Sequence, residues 1–583
     1  MFKTLFKYTK GYRRDSIITP TFVILEVIME TIIPILMASI IDNGVNKSDI
    51  NHIYKIGAIM VLVAIFSLFC GVMGGKYGAR ASAGVARNLR KGMFEKIQTF
   101  SFSNIDKFST AGLVTRLTTD VTNVQNSYQM ILRMCMRAPF SLICAMVMSF
   151  TISPKLASVY LVAVLSLSVI LAILIKFAMK YFKESFEKYD ALNASIQENV
   201  SGIRVVKSFV REDYEKERFA KASYDIYKRF LAADRIVSLN APLMNLTVYS
   251  CILLISWIGA SMIVNGSLQT GELMSLLAYC MNILFSLMIL SIVFVMLSMS
   301  GVSMKRISEV LVEESDITNP ENPVMEVEDG SIRFENVKFS YNTNDDDWIL
   351  KNINIDIKSG ETIGIIGGTG SSKTSLINMI SRIYDVNEGA VYVGGKDVRS
   401  YDLEVLRNNV AVVLQKNVLF SGTILENLRW GDLNATLEEC KEACKNACAD
   451  EFIESFPDGY NTRIEQGGTN VSGGQKQRLC IARALLKKPR IIILDDSTSA
   501  VDTATDAKIR KTFAKNIPDV TKIIIAQRIS SVCDADRIIV MEDGAINGFG
   551  THEELLKNNE IYKDIYDSQT NGNGDFDEAG GEL

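Results

Sequence analysis

The chain has 583 residues, 48% of them hydrophobic, and a formal net charge of −4 from 62 basic and 66 acidic side chains. This length predicts two or more domains, and the balanced charge excludes the strongly basic composition of many nucleic-acid-binding proteins. The ten cysteines are scattered, several inside apolar runs, which indicates buried thiols and excludes a small disulfide-rich secreted protein.

Six apolar runs in the first half of the chain are each long enough to cross a bilayer, which takes about 20 helical residues. We predict spans at residues 16–41, 53–75, 130–151, 156–175, 242–264 and 273–299. The first run is too long for a signal peptide and lacks a small-residue cleavage site, so we interpret it as a retained span. Residues 3–12 before it are typical of an amphipathic segment in the membrane interface, with Phe2, Leu5, Phe6 and Tyr12 as its apolar contacts.

Basic residues are concentrated in the connections after spans two and four and are nearly absent from the others. By the positive-inside bias, both termini and these two long loops are cytoplasmic. The loops are rich in helix-forming residues and poor in Gly and Pro, which predicts membrane helices that continue beyond the bilayer as hairpins.

The character of the sequence changes after the sixth span. Residues 316–324 contain two Asn and two Pro and indicate a linker, and from Ser331 onward short β-branched runs alternate with helical patterns, as in a parallel α/β sheet. We therefore expect a membrane domain at 1–305, a linker at 306–330, an α/β domain at 331–570 and a disordered, Gly-rich acidic tail at 571–583.

A glycine-rich loop follows the apolar run 363–366 and precedes an apolar helix. Its residues are Gly367, Gly368, Thr369, Gly370, Ser371, Ser372, Lys373, Thr374 and Ser375. The order is close to the phosphate-binding loop, in which backbone N–H groups surround the phosphates, the lysine contacts the β and γ oxygens and the hydroxyl binds Mg²⁺. It predicts ATP and Mg²⁺ as cofactors. Ser372 stands where the motif has Gly, and we expect its φ to stay negative and ATP binding to survive.

Two further motifs follow in the order that is typical of one family. The apolar run 491–494 ends in Asp495 and Asp496, of which Asp495 is expected to support Mg²⁺. Before it lie Val471, Ser472, Gly473, Gly474 and Gln475. This set resembles the signature of ATP-binding-cassette (ABC) proteins, with Val471 where Leu is usual. The resemblance implies that Tyr341 stacks on adenine, that Gln415 is the Q-loop glutamine near Mg²⁺, and that residues 499–502 form the D-loop.

The membrane half carries its own resemblance. Residues 109–117 and 198–207 resemble the two intracellular loops of type IV ABC exporters. The expected fold is thus a six-helix all-α transmembrane domain followed by an α/β P-loop nucleotide-binding domain. In that family two halves pair, so the resemblance implies that each ATP lies between the phosphate loop of one subunit and residues equivalent to 472–475 of the other.

Two residues depart from the family pattern at the expected catalytic positions. Asp496 stands where a glutamate usually positions the attacking water, and Gln527 stands where a switch histidine is usual. Aspartate is one methylene shorter, and glutamine does not titrate near neutral pH. The pair favours a degenerate ATP site in a heterodimer whose partner supplies the glutamate and the histidine. A tolerated variant in an ordinary homodimer stays open.

The predicted function is therefore ATP-driven export of a drug, lipid or hydrophobic peptide across a bacterial plasma membrane. A nucleotide-gated channel, a regulatory subunit and a slowly hydrolysing homodimeric exporter are the alternatives. A soluble ABC ATPase acting on DNA or ribosomes is disfavoured by the fused spans.

Weaker patterns leave more than one interpretation. Cys440, Cys444 and Cys448 recur at helical spacing and favour a buried thiol stripe over a metal site. Met274, Met281 and Met288 share a helix face, where they could line an apolar substrate site or simply pack. Glu26 in span one and Arg137 in span three fall at similar depths, which predicts an ion pair or a shared water-filled cavity. Glu26, Glu30 and Arg137 are therefore candidates for the substrate pathway, and for the two carboxylates structural pairing and substrate contact both stay open.

Overall fold

The computed structural model describes residues 6–341, 347–496 and 501–571. The chain divides into two compact units, one from Met1–Thr99 and Phe108–Glu313 and one from Phe100–Lys107 and Glu314–Leu583. The last helix of the first unit continues to Val312, past the expected start of the linker. Residues 572–583 of the predicted tail lie outside the described part of the chain.

The described elements from Arg13 to Val312 are all helical, with π-helical segments at Ile40–Val45 and Arg116–Asp120. In chain order the α-helices are α1 (Arg13–Ser39), α2 (Ile50–Gln98), α3 (Phe102–Phe108), α4 (Thr110–Thr115), α5 (Val121–Ile152), α6 (Pro154–Ser201), α7 (Ile203–Ser208), α8 (Glu212–Ser238), α9 (Asn240–Val264) and α10 (Thr270–Val312). All belong to the first unit except α3, most of which belongs to the second. Six helical stretches of the described chain are long and apolar enough to cross a membrane, which confirms the six predicted spans.

The helices that contain spans two and four are much longer than a bilayer requires. Helix α2 has 49 residues and α6 has 48. At 1.5 Å per residue each is about 70 Å long, against about 30 Å for the hydrocarbon core. The prediction that these helices extend beyond the bilayer is confirmed.

Buried hydrogen bonds join α10 to α1. The Tyr279 hydroxyl donates to the carbonyl of Thr31 (2.6 Å), and the Ser275 hydroxyl donates to that of Pro34 (2.6 Å). Nearby, the buried Asp42 carboxylate accepts from the backbone N–H of Gly271 at 2.7 Å. Because these three hydrogen bonds are buried or partly buried, they hold the first and sixth spans against each other.

The segment before α1 differs from the expected interfacial segment. Residues 8–12 are turns, and the Asn88 side chain on α2 donates to the carbonyls of Tyr8 (2.9 Å) and Lys10 (3.0 Å). The rings of Tyr8 and Tyr12 lie over Gly92 and Gly84, where α2 has no side chain. The expectation for Tyr12 was wrong, since its ring packs on protein. Phe6 is exposed, and Phe2 and Leu5 lie outside the described residues.

The second unit is built on a mixed sheet of six strands. In spatial order it runs β12-β11-β3-β10-β9-β6, with all neighbours parallel except β11 and β12. An antiparallel sheet has the order β2-β1-β4-β5, and β7 pairs with β8. The strands are β1 (Ile332–Phe339), β2 (Leu350–Ile357), β3 (Thr362–Gly367), β4 (Glu388–Val393), β5 (Lys396–Asp397), β6 (Val410–Val413), β7 (Gly422–Thr423), β8 (Arg463–Ile464), β9 (Ile491–Asp495), β10 (Thr521–Ile525), β11 (Arg537–Glu542) and β12 (Ala545–Gly550).

Helices cover this sheet and complete the unit. They are α11 (Lys373–Ile380), α12 (Leu403–Asn409), α13 (Ile424–Leu428), α14 (Leu437–Asn446), α15 (Asp450–Glu454), α16 (Gly473–Leu485), α17 (Thr503–Asn516), α18 (His552–Asn558) and α19 (Glu560–Asn571). The predicted α/β fold is confirmed.

The central strands are apolar throughout because both faces are buried. In β9, Ile491 and Ile493 belong to one hydrophobic cluster, whereas Ile492 and Leu494 belong to the cluster on the opposite face. A strand buried on both faces has no polar alternation. Since parallel strands β3, β9 and β10 end at the same edge of the sheet, the residues that follow them converge there.

Candidate functional site

The loop between β3 and α11 curls around the Lys373 side chain. The Lys373 ammonium donates to the carbonyls of Gly367 (2.9 Å) and Gly368 (2.8 Å) and contacts the Ser371 hydroxyl at 3.2 Å. Burial lowers the pKa of Lys373, and the nearby carboxylates of Asp496 and Asp495 act in the opposite direction. The lysine thus sits in a turn of backbone that has the shape of a phosphate cradle.

Ser372 does not have the expected backbone conformation. Its φ is +71° and its ψ is 22°, in the left-handed region, and Gly370 two residues earlier also has a positive φ of +85°. The loop reverses direction here so that α11 can begin at Lys373. A residue with a Cβ pays about 1–2 kcal/mol for this conformation, which explains why glycine is usual and corrects our expectation of a negative φ.

A hydroxyl and a buried carboxylate face each other at the start of α11. The Thr374 hydroxyl donates to the carboxylate of Asp495, with distances of 3.1 and 3.3 Å to its two oxygens. Burial raises the pKa of Asp495, and the Thr374 hydrogen bond partly offsets that rise. Hydroxyl and carboxylate oxygens are the ligands that Mg²⁺ prefers, so this donor set fits the predicted ion.

Two carboxamides converge on the Asp496 carboxylate. The Gln527 side chain, after β10, donates to Oδ2 of Asp496 at 2.9 Å, and the Gln415 side chain, after β6, is 3.4 Å from the same oxygen. Asp496 itself has a φ of +47°, and its N–H donates to the carbonyl of Ile525. The structure therefore brings together the sequence-predicted Asp496, Gln415 and Gln527 at one carboxylate.

An aromatic cluster lies near the phosphate loop. Tyr341 shares a hydrogen bond of 2.9 Å with the Ser375 hydroxyl, and its ring is 49% exposed. Phe339 and Tyr384 pack against it at ring-centroid distances of 4.8 and 5.1 Å. Edge contacts with Phe339 and Tyr384 orient the exposed ring, and its stacking on adenine stays a prediction.

The sequence reasoning missed Tyr384, which connects this cluster to the segment 100–107. The Tyr384 hydroxyl donates to the Asp106 carboxylate at 2.7 Å, and its ring is 6.3 Å from that of Phe102. Two more bonds attach the segment to the same unit. The Ser103 hydroxyl donates to Asp316 (2.8 Å) and the Asn104 side chain to the carbonyl of Glu314 (3.2 Å). Nothing in the local sequence around Tyr384 signals this contact.

The signature residues form the start of α16. The Ser472 hydroxyl accepts from the N–H of Gln475, and the Gln475 side chain accepts from the N–H of Ser472, a capping box. Ser472 and Gly473 are exposed. In the described part of the chain no hydrogen bond joins residues 472–475 to the phosphate loop. Of the predicted D-loop, Ser499 and Ala500 lie outside the described residues, and Asp502 caps α17.

The cysteine stripe is part of the hydrophobic core. Cys440, Cys444 and Cys448 are buried in one apolar cluster, and burial raises the pKa of Cys444 to about 12. Within the described residues no group of His, Cys, Asp and Glu could hold a metal ion. The predicted burial of the three thiols is confirmed.

The membrane charges of the first unit are paired. Arg137 on α5 contacts Glu26 at 2.8 Å and Glu30 at 2.7 Å, both on α1. The predicted ion pair is confirmed, and a second carboxylate shares the same guanidinium. One cation between two anions leaves a formal charge of −1, and the Glu30 side chain is 36% exposed.

The methionines of α10 have different surroundings. Met288 packs against the buried cluster around Tyr160 and Tyr279, whereas Met281 is 54% exposed and Met274 is also exposed. Packing therefore accounts for Met288.

Comparison with known proteins gives a consistent result over both units. The sequence profile of the ABC transporter transmembrane region matches residues 16–288, and that of the ABC transporter matches residues 350–499. The chain is similar to the uncharacterized ABC transporter ATP-binding protein YfiB of Bacillus subtilis, with 37% identity over 96% of this chain and 97% of that protein. The uncharacterized ABC transporter ATP-binding protein Rv1273c of Mycobacterium tuberculosis is 35% identical over 97% of each chain.

A solved structure supports the same architecture. The structure of a bacterial Atm1-family ABC exporter with ATP bound superimposes with a TM-score of 0.83, covering 96% of this chain and 99% of that one at 23% identity. At this identity the likeness establishes the fold.

Proposed function

The chain belongs to the ABC transporter family, and on that premise we propose that it is one half of a heterodimeric exporter whose own ATP site hydrolyses slowly. Its single membrane domain and single ATP-binding domain make it a half-transporter. This chain's phosphate loop would retain ATP. Fast turnover would take place at the site of the partner subunit, which carries the usual glutamate and histidine and is completed by residues 472–475 of this chain.

One observation carries this proposal: Gln527 and Gln415 both bind the same oxygen, Oδ2, of the Asp496 carboxylate. A carboxylate that positions water needs a free oxygen aimed at the attacking molecule, and a misplacement of about 1 Å can cost roughly 10²-fold in rate. Asp496 is one methylene short, and Gln527 and Gln415 hold one of its oxygens. Gln527 also lacks an ionisable ring, so it cannot carry a proton to or from the site.

The remaining residues of the site keep their binding roles. Lys373 and the loop N–H groups would bind the phosphates, and Tyr341 would stack on the base. Mg²⁺ would be held by Thr374 and Asp495 with Gln415 nearby, where it would offset the charge of the phosphate oxygens. These groups bind and orient ATP even where hydrolysis is slow.

The signature end of α16 supports a role at the partner's site. Ser472 and Gly473 are exposed, and the capping box uses the N–H groups of Ser472 and Gln475 but not those of Gly473 and Gly474. A helix N-terminus of this kind suits a phosphate presented by another chain. This chain would thus complete the partner's competent site, while its own site hydrolyses ATP more slowly.

The membrane half would couple ATP binding to export. We place both termini and the loops after spans two and four in the cytoplasm of a bacterium, from the distribution of basic residues. Closure of the two ATP-binding domains would move the intracellular loops and open the membrane cavity outward, and hydrolysis would reset it. The substrate class that fits is hydrophobic or amphipathic.

Steady-state ATPase of the purified pair tests the asymmetry. Ser472→Ala or Gly473→Asp should nearly abolish turnover, because each removes phosphate contacts from the competent site. Asp496→Asn should cost much less, because that carboxylate is badly placed for water. Asp543→Asn is a matched control, since Asp543 is another aspartate with positive φ (+44°) but belongs to the turn between β11 and β12. If Asp496→Asn silences the pair as fully as the signature variants do, the proposal fails.

The acidic cluster in the membrane domain supports a cationic substrate. Glu26 and Glu30 share the single guanidinium of Arg137, and a carboxylate within a bilayer is tolerated where it meets water or a counter-ion. Glu30 is the more exposed carboxylate, with 36% of its side chain accessible against 15% for Glu26. We assign Glu30 to the substrate pathway, with the exposed Met281 as a polarisable apolar contact.

Uptake into inside-out vesicles containing the pair tests this assignment. Glu30→Gln should weaken uptake of tetraphenylphosphonium more than uptake of a neutral compound of similar size. Glu26→Gln is the matched control, because it changes the net charge equally at a less exposed position. Equal losses for cation and neutral compound, or equal effects of the two variants, would contradict the assignment.

A further inference from the structure

The C-terminal helix α19 hydrogen-bonds directly to the segment that carries Gln527. The Gln569 side chain donates from Nε2 to the carbonyl of Gln527 at 2.8 Å, and its Oε1 accepts from the N–H of Ile529, also at 2.8 Å. One carboxamide therefore brackets Arg528 by pairing with the backbone on both sides of it.

The planar amide of Gln569 suits this pair of bonds. A carboxamide has a donor and an acceptor in one plane, whereas a carboxylate has acceptors alone and an aliphatic side chain has neither. The neighbouring hydroxyls bond within their own helix, Ser568 to the carbonyl of Ile565 and Thr570 to that of Tyr566. The contact with the Gln527 segment is thus specific to position 569.

Helix α19 is a firm base for this contact. Tyr562 is fully buried, shares a hydrogen bond of 2.6 Å with His552 Nδ1, and its N–H donates to the side chain of Asn559. Ile565 and Tyr566 pack against the same hydrophobic cluster. Because the helix is anchored through its first two turns, Gln569 at its end has a defined position.

The bracketed segment passes the ATP site between the end of β10 and a 3₁₀ turn at Ile529–Ser531. Strand β10 ends at Ile525, and the N–H of Ala526 still donates to the carbonyl of Ile365 at 3.3 Å. Gln527 then leaves the sheet, and its side chain reaches Asp496 at 2.9 Å. The backbone bonds from Gln569 determine where this side chain starts.

We propose that Gln569 is a positioning residue of the ATP site, which holds the backbone of Gln527 so that the Gln527 carboxamide stays on Asp496. The inference rests on the proposed function only in taking Asp496 and Gln527 as part of this chain's nucleotide site. Through Gln569, the C-terminal helix α19 would slow the release of nucleotide from this site.

The test is the release rate of a fluorescent ATP analogue from the full-length chain in lipid nanodiscs, followed by stopped flow. Gln569→Leu removes both bonds and should speed release roughly 3- to 10-fold, the effect of losing one or two hydrogen bonds. Gln569→Glu keeps the acceptor for Ile529 but not the donor to Gln527, so its effect should be intermediate. Thr570→Val, one residue away, should leave release unchanged.

A double variant separates positioning from a structural role. If Gln569 acts through Gln527, then Gln569→Leu should have no further effect in a chain that already carries Gln527→Ala. Additive effects of the two changes, or an unchanged release rate in Gln569→Leu, would overturn the inference. A general loss of fold would also slow the binding phase and lower the melting temperature of both single variants, and that result counts against positioning. Since release is measured on this chain alone, the outcome is independent of whether a partner's site carries the turnover.

Discussion

The backbone at Ser372 shows how a side chain can oppose the conformation that its loop requires. The phosphate loop needs a left-handed residue before Lys373, and Ser372 adopts it with φ of +71°. The loop keeps its shape because Lys373 binds the carbonyls of Gly367 and Gly368 from inside. The strain at Ser372 is thus offset by the contacts of its neighbour.

Replacing this serine by glycine should stabilise the ATP-binding domain. Ser372→Gly removes the Cβ that disfavours positive φ, so we expect the free energy of unfolding to rise by about 1 kcal/mol and the melting temperature by about 2–4 °C. Gly370→Ala is the reverse control, since φ there is +85° and a Cβ would meet open space, so only the backbone cost applies. Calorimetry of the full-length protein measures both. A lower melting temperature for Ser372→Gly would show that the hydroxyl matters more than the backbone.

Tyr341 should contribute to ATP affinity through its ring. Tyr341→Ala removes a stacking surface worth about 1–3 kcal/mol, which predicts at least a five-fold weaker Kd for ATP. Tyr341→Phe keeps the ring and loses only the bond to Ser375, so its affinity should be close to that of the unchanged protein. Equilibrium binding of ATP to the three proteins checks this. Equal affinity for all three would remove Tyr341 from the site.

At the scale of elements, the short helix α3 is attached to the nucleotide-binding unit next to the aromatic cluster. Tyr384 contacts Tyr341 on one side and Asp106 on the other. Burial and the neighbouring Asp106 raise the pKa of Tyr384 well above its usual range. Its hydroxyl consequently stays protonated, and remains a donor, at every pH at which the protein is expected to work.

Removing this hydroxyl should uncouple ATP turnover from the membrane domain. Tyr384→Phe keeps the ring against Tyr341 and loses the bond to Asp106, so ATP affinity should hold while the stimulation of ATPase by substrate falls. A double variant with Asp106→Ala should be no worse than either single change. Tyr401→Phe is the control, because it removes a buried hydroxyl bonded to the carbonyl of Val393, away from α3. Unchanged stimulation in Tyr384→Phe would contradict the coupling role.

For the whole molecule, composition of the dimer should decide the ATPase rate. A dimer of this chain alone would have Asp496 and Gln527 in both sites, so we expect it to bind ATP and to hydrolyse it on the order of 10²-fold more slowly than the pair. The comparison needs the purified chain with and without its partner at equal ATP. A fully active dimer of this chain alone would contradict the degenerate-site proposal.

The sequence by itself determined the six spans, the α/β fold and the phosphate loop. Hydropathy over about 20 residues, the period of apolar residues and the order of a nine-residue loop are local properties, so they can be recognised before any packing is known. Glu26 and Arg137 could be paired in advance because both had to satisfy a charge at a similar depth. The sign of φ at Ser372 was predicted wrongly, because the direction of a loop depends on the helix that follows it.

Only the tertiary structure decided which distant residues meet. Arg137 binds Glu30 as well as Glu26, Tyr384 reaches Asp106, and Gln569 pairs with the backbone around Arg528. Each contact joins elements that are far apart in the chain, and each depends on side-chain directions set by packing. No local sequence pattern predicts the hydrogen-bond partner of a single glutamine or tyrosine. Its amide or hydroxyl can bond to many different groups, and the fold decides which of them lies within about 3 Å.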